Sequence, residues 1–335
     1  MNMKQSKLIL AIFVLLTVTL FSFNKKEINA NDITLLNFNS IEELEQSSNI
    51  SFAIFSDNHG NSPYDNIQMA KMNSWMQTSN VEFVVGLGDH IMQQDGRNFL
   101  SYIATNKWWF NNFYPTIADS ENAYFGKSQE DVDAGGALLN MMNFSKRNDI
   151  VKRNMKSEYY AVREVNGYKF HIITLHFPDQ PYTDAAFTEE SKQFMTNILS
   201  GIQKTNKDVV IVNAHSRFGF WIDNLSPNQR SILMNKADLV LSGTTHHFEK
   251  YYTNNVKAGQ KMPLIINAGS TTNARYGSHN GYVQIDLLPN ENALVAQYIN
   301  LDASTKELAP SNESFIKYIN GGVKNVMFQT LVAMN

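Results

Sequence analysis

Short apolar runs that stop abruptly at polar, glycine-containing segments recur along this chain, with amphipathic stretches between the early ones. That pattern predicts an α/β fold. Residues 50–56 read as a first strand, 66–79 as a helix and 82–87 as a second strand. Residues 99–113 predict a helix that packs through Trp108, Trp109 and Phe110, and 114–118 a short third strand. The segment 121–158 holds few strong apolar runs except 137–144 and reads as an insertion carrying a helix. Strands at 159–165 and 168–175 flank Asn166-Gly167, a two-residue hairpin signal. A helix is expected over 188–199 and a strand over 208–213. Ser226-Pro227-Asn228-Gln229 has capping-box spacing with proline at the first helical position, so a helix should run to about Lys236. Strands at 238–242, 263–267, 282–288 and 293–300 follow, the last two as a hairpin. No proline-rich or serine-rich linker interrupts residues 45–302, which predicts one catalytic domain over 48–302, with a lead-in at 31–47 and a tail at 303–335.

The first thirty residues differ in kind. Lys4 and Lys7 precede an apolar stretch over 8–23, and residues 28–30 end on the small Ala30, the pattern of a signal peptide cleaved after Ala30. The chain is then expected to be periplasmic or secreted. The alternative is an uncleaved anchor, the one case in which a membrane would be a partner. The stretch is 16 residues, short of the roughly 20 that a spanning helix needs, although Lys25 and Lys26 just after it are unusual for a cleaved signal.

Four lysines and one glutamate lie in residues 1–30, so residues 31–335 hold 24 basic and 30 acidic side chains, a formal charge of −6. This argues against general nucleic-acid binding. The chain has no cysteine, which excludes disulfides, thiolate metal sites and cysteine nucleophiles. Metal chemistry must use His, Asp, Glu, Asn and hydroxyls.

Six of the eight histidines follow an apolar strand within a few residues: His59, His90, His176, His215, His246 and His247. Open α/β sheets place ligands beyond the carboxyl ends of their strands, so these positions should converge on one crevice. Asp57-Asn58-His59 follows the first strand, and Gly88-Asp89-His90 follows the second. His171, inside a strand, reads as a core or hairpin residue, and His279 lies in a loop.

Taken in order, Asp57-x-His59, Gly88-Asp89, Ala118-Asp119-Ser120-Glu121, His215 and Gly243-Thr244-Thr245-His246 resemble the motifs of the calcineurin-like metallophosphoesterase family, the third and fifth in degenerate form. The resemblance covers about residues 48–300. It implies an α/β fold of two β-sheets packed as a sandwich and flanked by helices, in α/β/β/α layers. It also implies a first divalent metal held by Asp57, His59, Asp89 and His246. A second metal would share Asp89 and add Asp119, His215 and Thr244, where the family has Asn, His and His. That second site is oxygen-rich, expected to bind weakly and to favour manganese, magnesium or ferrous iron over zinc.

The activity implied is hydrolysis of a small phosphorylated substrate, a diester or activated monoester, by in-line attack of a metal-bound hydroxide. Ser120 stands where the family places a histidine near the leaving group, and a hydroxyl is too weak an acid for that task. His176, His90 and His247 are candidate replacements, with His176 preferred. Arg217 and Arg275 are candidate phosphate clamps, since a guanidinium matches phosphate bidentately. The alternative is a catalytically impaired metal- and phosphate-binding protein on the same fold.

Overall fold

The pleat of a strand sends alternate side chains to opposite faces, and the central strands here are covered on both. The computed structural model describes residues 33–36, 50–58, 74, 76, 80–90, 107–118, 144–154, 158–176, 187–216, 222–251, 261–269, 281–301, 308–319, 321 and 323–328. The chain divides into a short unit, residues 1–34, and a main unit, residues 35–335. Strand β1 (Ile33–Leu36) crosses that boundary, and the other described elements belong to the main unit.

One sheet runs in the order β15 (Val323–Phe328), β14 (Leu308–Tyr318), β13 (Ala293–Leu301), β12 (Gly281–Leu288), β2 (Ile50–Phe55), β3 (Val81–Gly86) and β4 (Phe113–Pro115). It is antiparallel from β15 to β2 and parallel from β2 to β4. The second sheet runs β10 (Phe248–Tyr251), β11 (Leu264–Ala268), β9 (Leu239–Ser242), β8 (Asp208–Ala214), β7 (Tyr168–Leu175), β6 (Tyr159–Val165) and β5 (Ile150–Arg153). Its strands β11, β9, β8 and β7 are parallel, so their carboxyl ends share one edge.

Alternation along the second sheet separates two cores. Phe170, Ile172, Ile211 and Leu241 join the core between the sheets, whereas Ile173, Leu175, Val212 and Val240 pack with helices α2 (Glu189–Gly201) and α3 (Pro227–Lys236). Between the sheets, the Phe52 and Phe83 rings stack at 4.7 Å, and Phe170 meets them edge-on at 5.5 and 5.1 Å. Such pairs contribute about 0.5–1.5 kcal/mol each beyond their burial. The expected two-sheet α/β sandwich is therefore present.

Local signals translate directly at several points. Asn166 takes φ 48° and Gly167 φ 80° in the turn joining β6 and β7, and Ser226 and Gln229 form a reciprocal capping box at the start of α3. Elsewhere the boundaries differ. Helix α1 (Lys107–Asn112) stops short of Phe113, because Phe113 and Tyr114 are wholly buried and pair with Val84 and Val85 as β4. That strand ends at Pro115, and Thr116 carries the pairing on through its N–H to Gly86 O. Of the helix expected over 66–79, Ser74 and Met76 are described, both helical. The insertion helix at 137–144 lies outside the described residues except Phe144, which begins a 3₁₀ turn. Strands β5, β10, β14 and β15 were not expected. The last two add to the main sheet, with β14 paired along β13.

The edge away from the parallel strand ends is tied by charge. Lys317 of β14 and Lys204 place their ammonium groups 3.5 and 2.7 Å from the buried Asp238 carboxylate that precedes β9. Burial pushes Lys317 down to about 8, against the attraction of Asp238.

Candidate metal centre

Three parallel strands of the first sheet remain laterally bonded after their ladders end. Leu87 N–H donates to Phe55 O at 2.8 Å and Asp57 N–H to Gly88 O at 3.1 Å, which sets the β2 and β3 exits side by side. The second sheet joins them from across the sandwich. Beyond β8, His215 Nδ1 donates to Leu87 O at 2.6 Å, and Thr116 Oγ1 donates to Asn213 Oδ1 at 2.6 Å. Since Nδ1 of His215 is spent on a carbonyl, Nε2 is the nitrogen left with a lone pair, and it lies 3.5 Å from Asp89 Oδ2.

Asp57 is oriented from three sides. Its Oδ2 accepts from Ser56 Oγ at 2.6 Å and from the backbone N–H of Thr244 at 3.0 Å. Its Oδ1 lies 3.5 Å from His246 Nε2. The loop that delivers Thr244 and His246 is held by Asn267 at the end of β11, whose Nδ2 donates to Gly243 O at 3.1 Å and to Thr245 Oγ1 at 2.6 Å.

The ligand atoms of Asp57, Asp89 and His215 all lie within 4.8 Å of one another, and His246 adjoins Asp57. All four residues are buried. Two buried carboxylates this close repel, and removing them from water costs several kcal/mol unless positive charge offsets it. A divalent cation supplies that charge. Two atoms that each lie about 2.1 Å from one cation are themselves about 3.0–3.4 Å apart, close to the 3.5 Å of both His–Asp pairs. The residues present therefore fit a metal.

The backbone makes the same point independently. Among the described residues, seven other than glycine have positive φ: Asp57, Asn80, Asp89, Asn166, Thr244, His246 and Asn292. The three asparagines tolerate that conformation. The other four are all at this site: aspartate tolerates the conformation as asparagine does and histidine is enriched in it, whereas β-branched Thr244, at φ 77°, costs on the order of 1–3 kcal/mol, sustained where surrounding structure enforces it.

Glycines complete the enclosure. A Cβ on Gly88, at φ 93°, would lie 2.7 Å from His215 Nδ1, and a Cβ on Gly243 would meet that atom at 2.7 Å and Leu87 O at 2.6 Å.

Of the residues expected at the site from sequence, Asp57, Asp89, His215 and His246 are brought together. Thr244 is exposed, and its recorded bond to the site is made by its backbone N–H. His176 is buried after β7, with its N–H donating to Glu158 Oε1 at 3.3 Å. His90 is withdrawn from the role of proton donor, because both ring nitrogens are engaged internally: Nε2 accepts from Gly88 N–H at 3.1 Å and Nδ1 donates to Asn58 Oδ1 at 2.8 Å. His247 stands beside the loop with its N–H on Thr245 Oγ1. His171 is a strand residue, bonded to Tyr160 and Asp208. His59, Asp119, Ser120, Arg217, Arg275 and His279 lie outside the described residues. The supporting roles of Ser56, Asn58, Gly243 and Asn267 are not assigned by the sequence; the signal these residues carry is position, at or just past the end of a buried strand.

No protein-family model matches the chain, and no curated protein matches it in sequence. Solved structures do match in fold. A dimetal phosphatase from Danio rerio superposes with a TM-score of 0.52 at 12% identity, over 75% of this chain and 96% of that one. Purple acid phosphatase PPD1 from yellow lupin (Lupinus luteus) seeds gives 0.53 at 11% identity, over 87% of this chain and 56% of the plant enzyme. The chain has the calcineurin-like metallophosphoesterase fold, and the candidate metal group sits at its strand ends.

Proposed function

We propose that this chain is an exported, metal-dependent phosphoesterase that hydrolyses a small phosphodiester or an activated monoester. The observation that carries the reading is the gathering of the buried Asp57, Asp89 and His215 ligand atoms within 4.8 Å of one another, with His246 beside Asp57. Thr244, β-branched and at φ 77°, is a strained position of the kind that clusters at functional sites. Asp57, Asp89 and His246, with His59, are the ligands we assign to the firm cation, and His215 with Asp119 and Thr244 to the weaker one. A cation held there would lower the pKa of its water and neutralise charge on the phosphoryl oxygens. Manganese, ferrous iron or magnesium suits the oxygen-rich second position.

The protein's own part is to orient and to move a proton. Ser56 and the Thr244 N–H fix one oxygen of Asp57, which leaves the other turned to His246. The Leu87 carbonyl fixes the tautomer of His215. We assign His176 as donor of the proton to the leaving oxygen. In register, Leu175 lies beside Ala214, so His176 follows beside His215. Glu158, buried and with its carboxyl pushed up by burial, grips the backbone there. Arg217 and Arg275 are the arginines assigned to the phosphate. Export rests on the pattern of residues 1–30.

The test compares leaving groups. With manganese, the purified chain should hydrolyse nitrophenyl and alkyl phosphodiesters. His176→Ala should lower the alkyl rate by about 10²–10⁴ and the nitrophenyl rate far less, because an activated leaving group needs no proton. Equal losses on both substrates would remove His176 from this role. No manganese-dependent turnover of either substrate from pH 5 to 9, combined with tight manganese binding, would favour the impaired binding protein.

A further inference from the structure

We propose that Asn58 and His90 form a lock that holds the two aspartate-bearing loops in ligand geometry before any metal arrives. Neither residue is a metal ligand in this reading. The inference rests on the metal-centre reading above.

Four hydrogen bonds close a ring between the loops. Asp57 N–H reaches Gly88 O at 3.1 Å, and Gly88 N–H reaches His90 Nε2 at 3.1 Å, so one residue is gripped at both its N–H and its carbonyl. His90 Nδ1 donates to Asn58 Oδ1 at 2.8 Å, and Asn58 Nδ2 donates to His90 O at 3.2 Å, so side chain and backbone of His90 are held by one amide. This pattern requires the neutral imidazole with its proton on Nδ1. Both residues are fully buried.

The ring is seated as tightly as it is bonded. Its centroid lies 5.0 Å from that of Phe55 and 5.4 Å from that of Phe113. A Cβ on Gly86 would stand 2.5 Å from His90 Nε2, so β3 ends in glycine where the imidazole needs the space. Asp57 and Asp89, at φ 50° and 51°, are the residues next to the two lock residues. The lock thus restrains both left-handed positions through their own neighbours. Residues that orient ligands in this way change metal affinity about 10- to 100-fold when replaced.

Manganese titration by calorimetry tests the proposal, with no turnover needed. His90→Phe keeps the ring packing and removes both hydrogen-bonding nitrogens; it should weaken manganese binding about 10- to 100-fold. Asn58→Leu should cost a similar factor, and the double variant little more than either, since both break one ring of bonds. His90→Gln places an amide oxygen near the Nε2 position and should recover part of the loss. In the unaltered, metal-free protein, ¹⁵N spectra of His90 should show a protonated Nδ1 and a bare Nε2, a readout that holds even where a variant fails to fold. Binding by His90→Phe within twofold of the parent, additive losses in the double variant, or a proton on Nε2 would each overturn the lock. No manganese binding by the parent chain would overturn the metal centre itself, and the lock with it.

Discussion

Replacing Asp89 by asparagine should lower metal-dependent hydrolysis by about 10² to 10⁴ while leaving the metal-free protein as stable as before, or more so. Asp89 faces His215 at 3.5 Å and shares the ligand group with Asp57. Removing its charge weakens the hold on a cation that contributes several kcal/mol to the reaction, and each 1.36 kcal/mol is a factor of ten in rate. Without metal the sign reverses, because two buried carboxylates repel and the asparagine relieves that repulsion. Steady-state rates in manganese and thermal melts in chelator check the two halves separately. A large fall in the melting temperature of the metal-free variant would show that Asp89 supports the fold rather than the cation.

Gly88→Ala should damage the fold and the site together, through a single methyl group. Gly88 sits at φ 93°, where a side chain is strained, and the added carbon would press on His215 Nδ1 at 2.7 Å and Ala118 Cβ at 2.8 Å. Overpacking costs typically 1–3 kcal/mol, and the backbone conformation adds roughly 1–2 kcal/mol. The contact falls on the nitrogen that bonds Leu87 O, so His215 must turn and metal affinity falls along with stability. Gly201→Ala is the control, since a Cβ there meets nothing within 4 Å and closes helix α2. Unfolding free energies from urea melts should separate the two variants by about 2–5 kcal/mol. Equal midpoints would contradict the packing described around His215.

Much of the fold was legible because its signals are local. Asn166-Gly167 specifies a turn by its own backbone preferences, Ser226 and Gln229 cap a helix by their own side chains, and long apolar runs such as Val209 to Val212 need no partner to be read as buried. Strand β10, Phe248–Tyr251, is four residues long and gains its identity only from pairing with β11. Strand β14 carries Pro310, Ser311, Asn312 and Glu313, residues poor in strand propensity that lie at a register shift and are bracketed by the pairs Ile299–Pro310 and Gln297–Ser314 with β13.

The ligand residues of the site were legible from their place after apolar strands. What each atom does was not. His90 follows a strand as His215 does, yet one ring turns inward to a neighbouring loop and the other meets an aspartate across the sandwich. Thr244 reads as a side-chain oxygen donor, and the structure adds a bond from its N–H to Asp57. Direction at a strand exit is set by backbone angles that glycines and neighbouring loops decide together, and no periodicity in the sequence encodes them.

Manganese binding to the purified, chelator-stripped chain, measured by calorimetry beside an Asp57→Asn, Asp89→Asn double variant, tests the metal centre most directly. The expected result is saturable binding of at least one ion per chain that the double variant loses. Binding of equal affinity and stoichiometry in both proteins, or none in either, would contradict it.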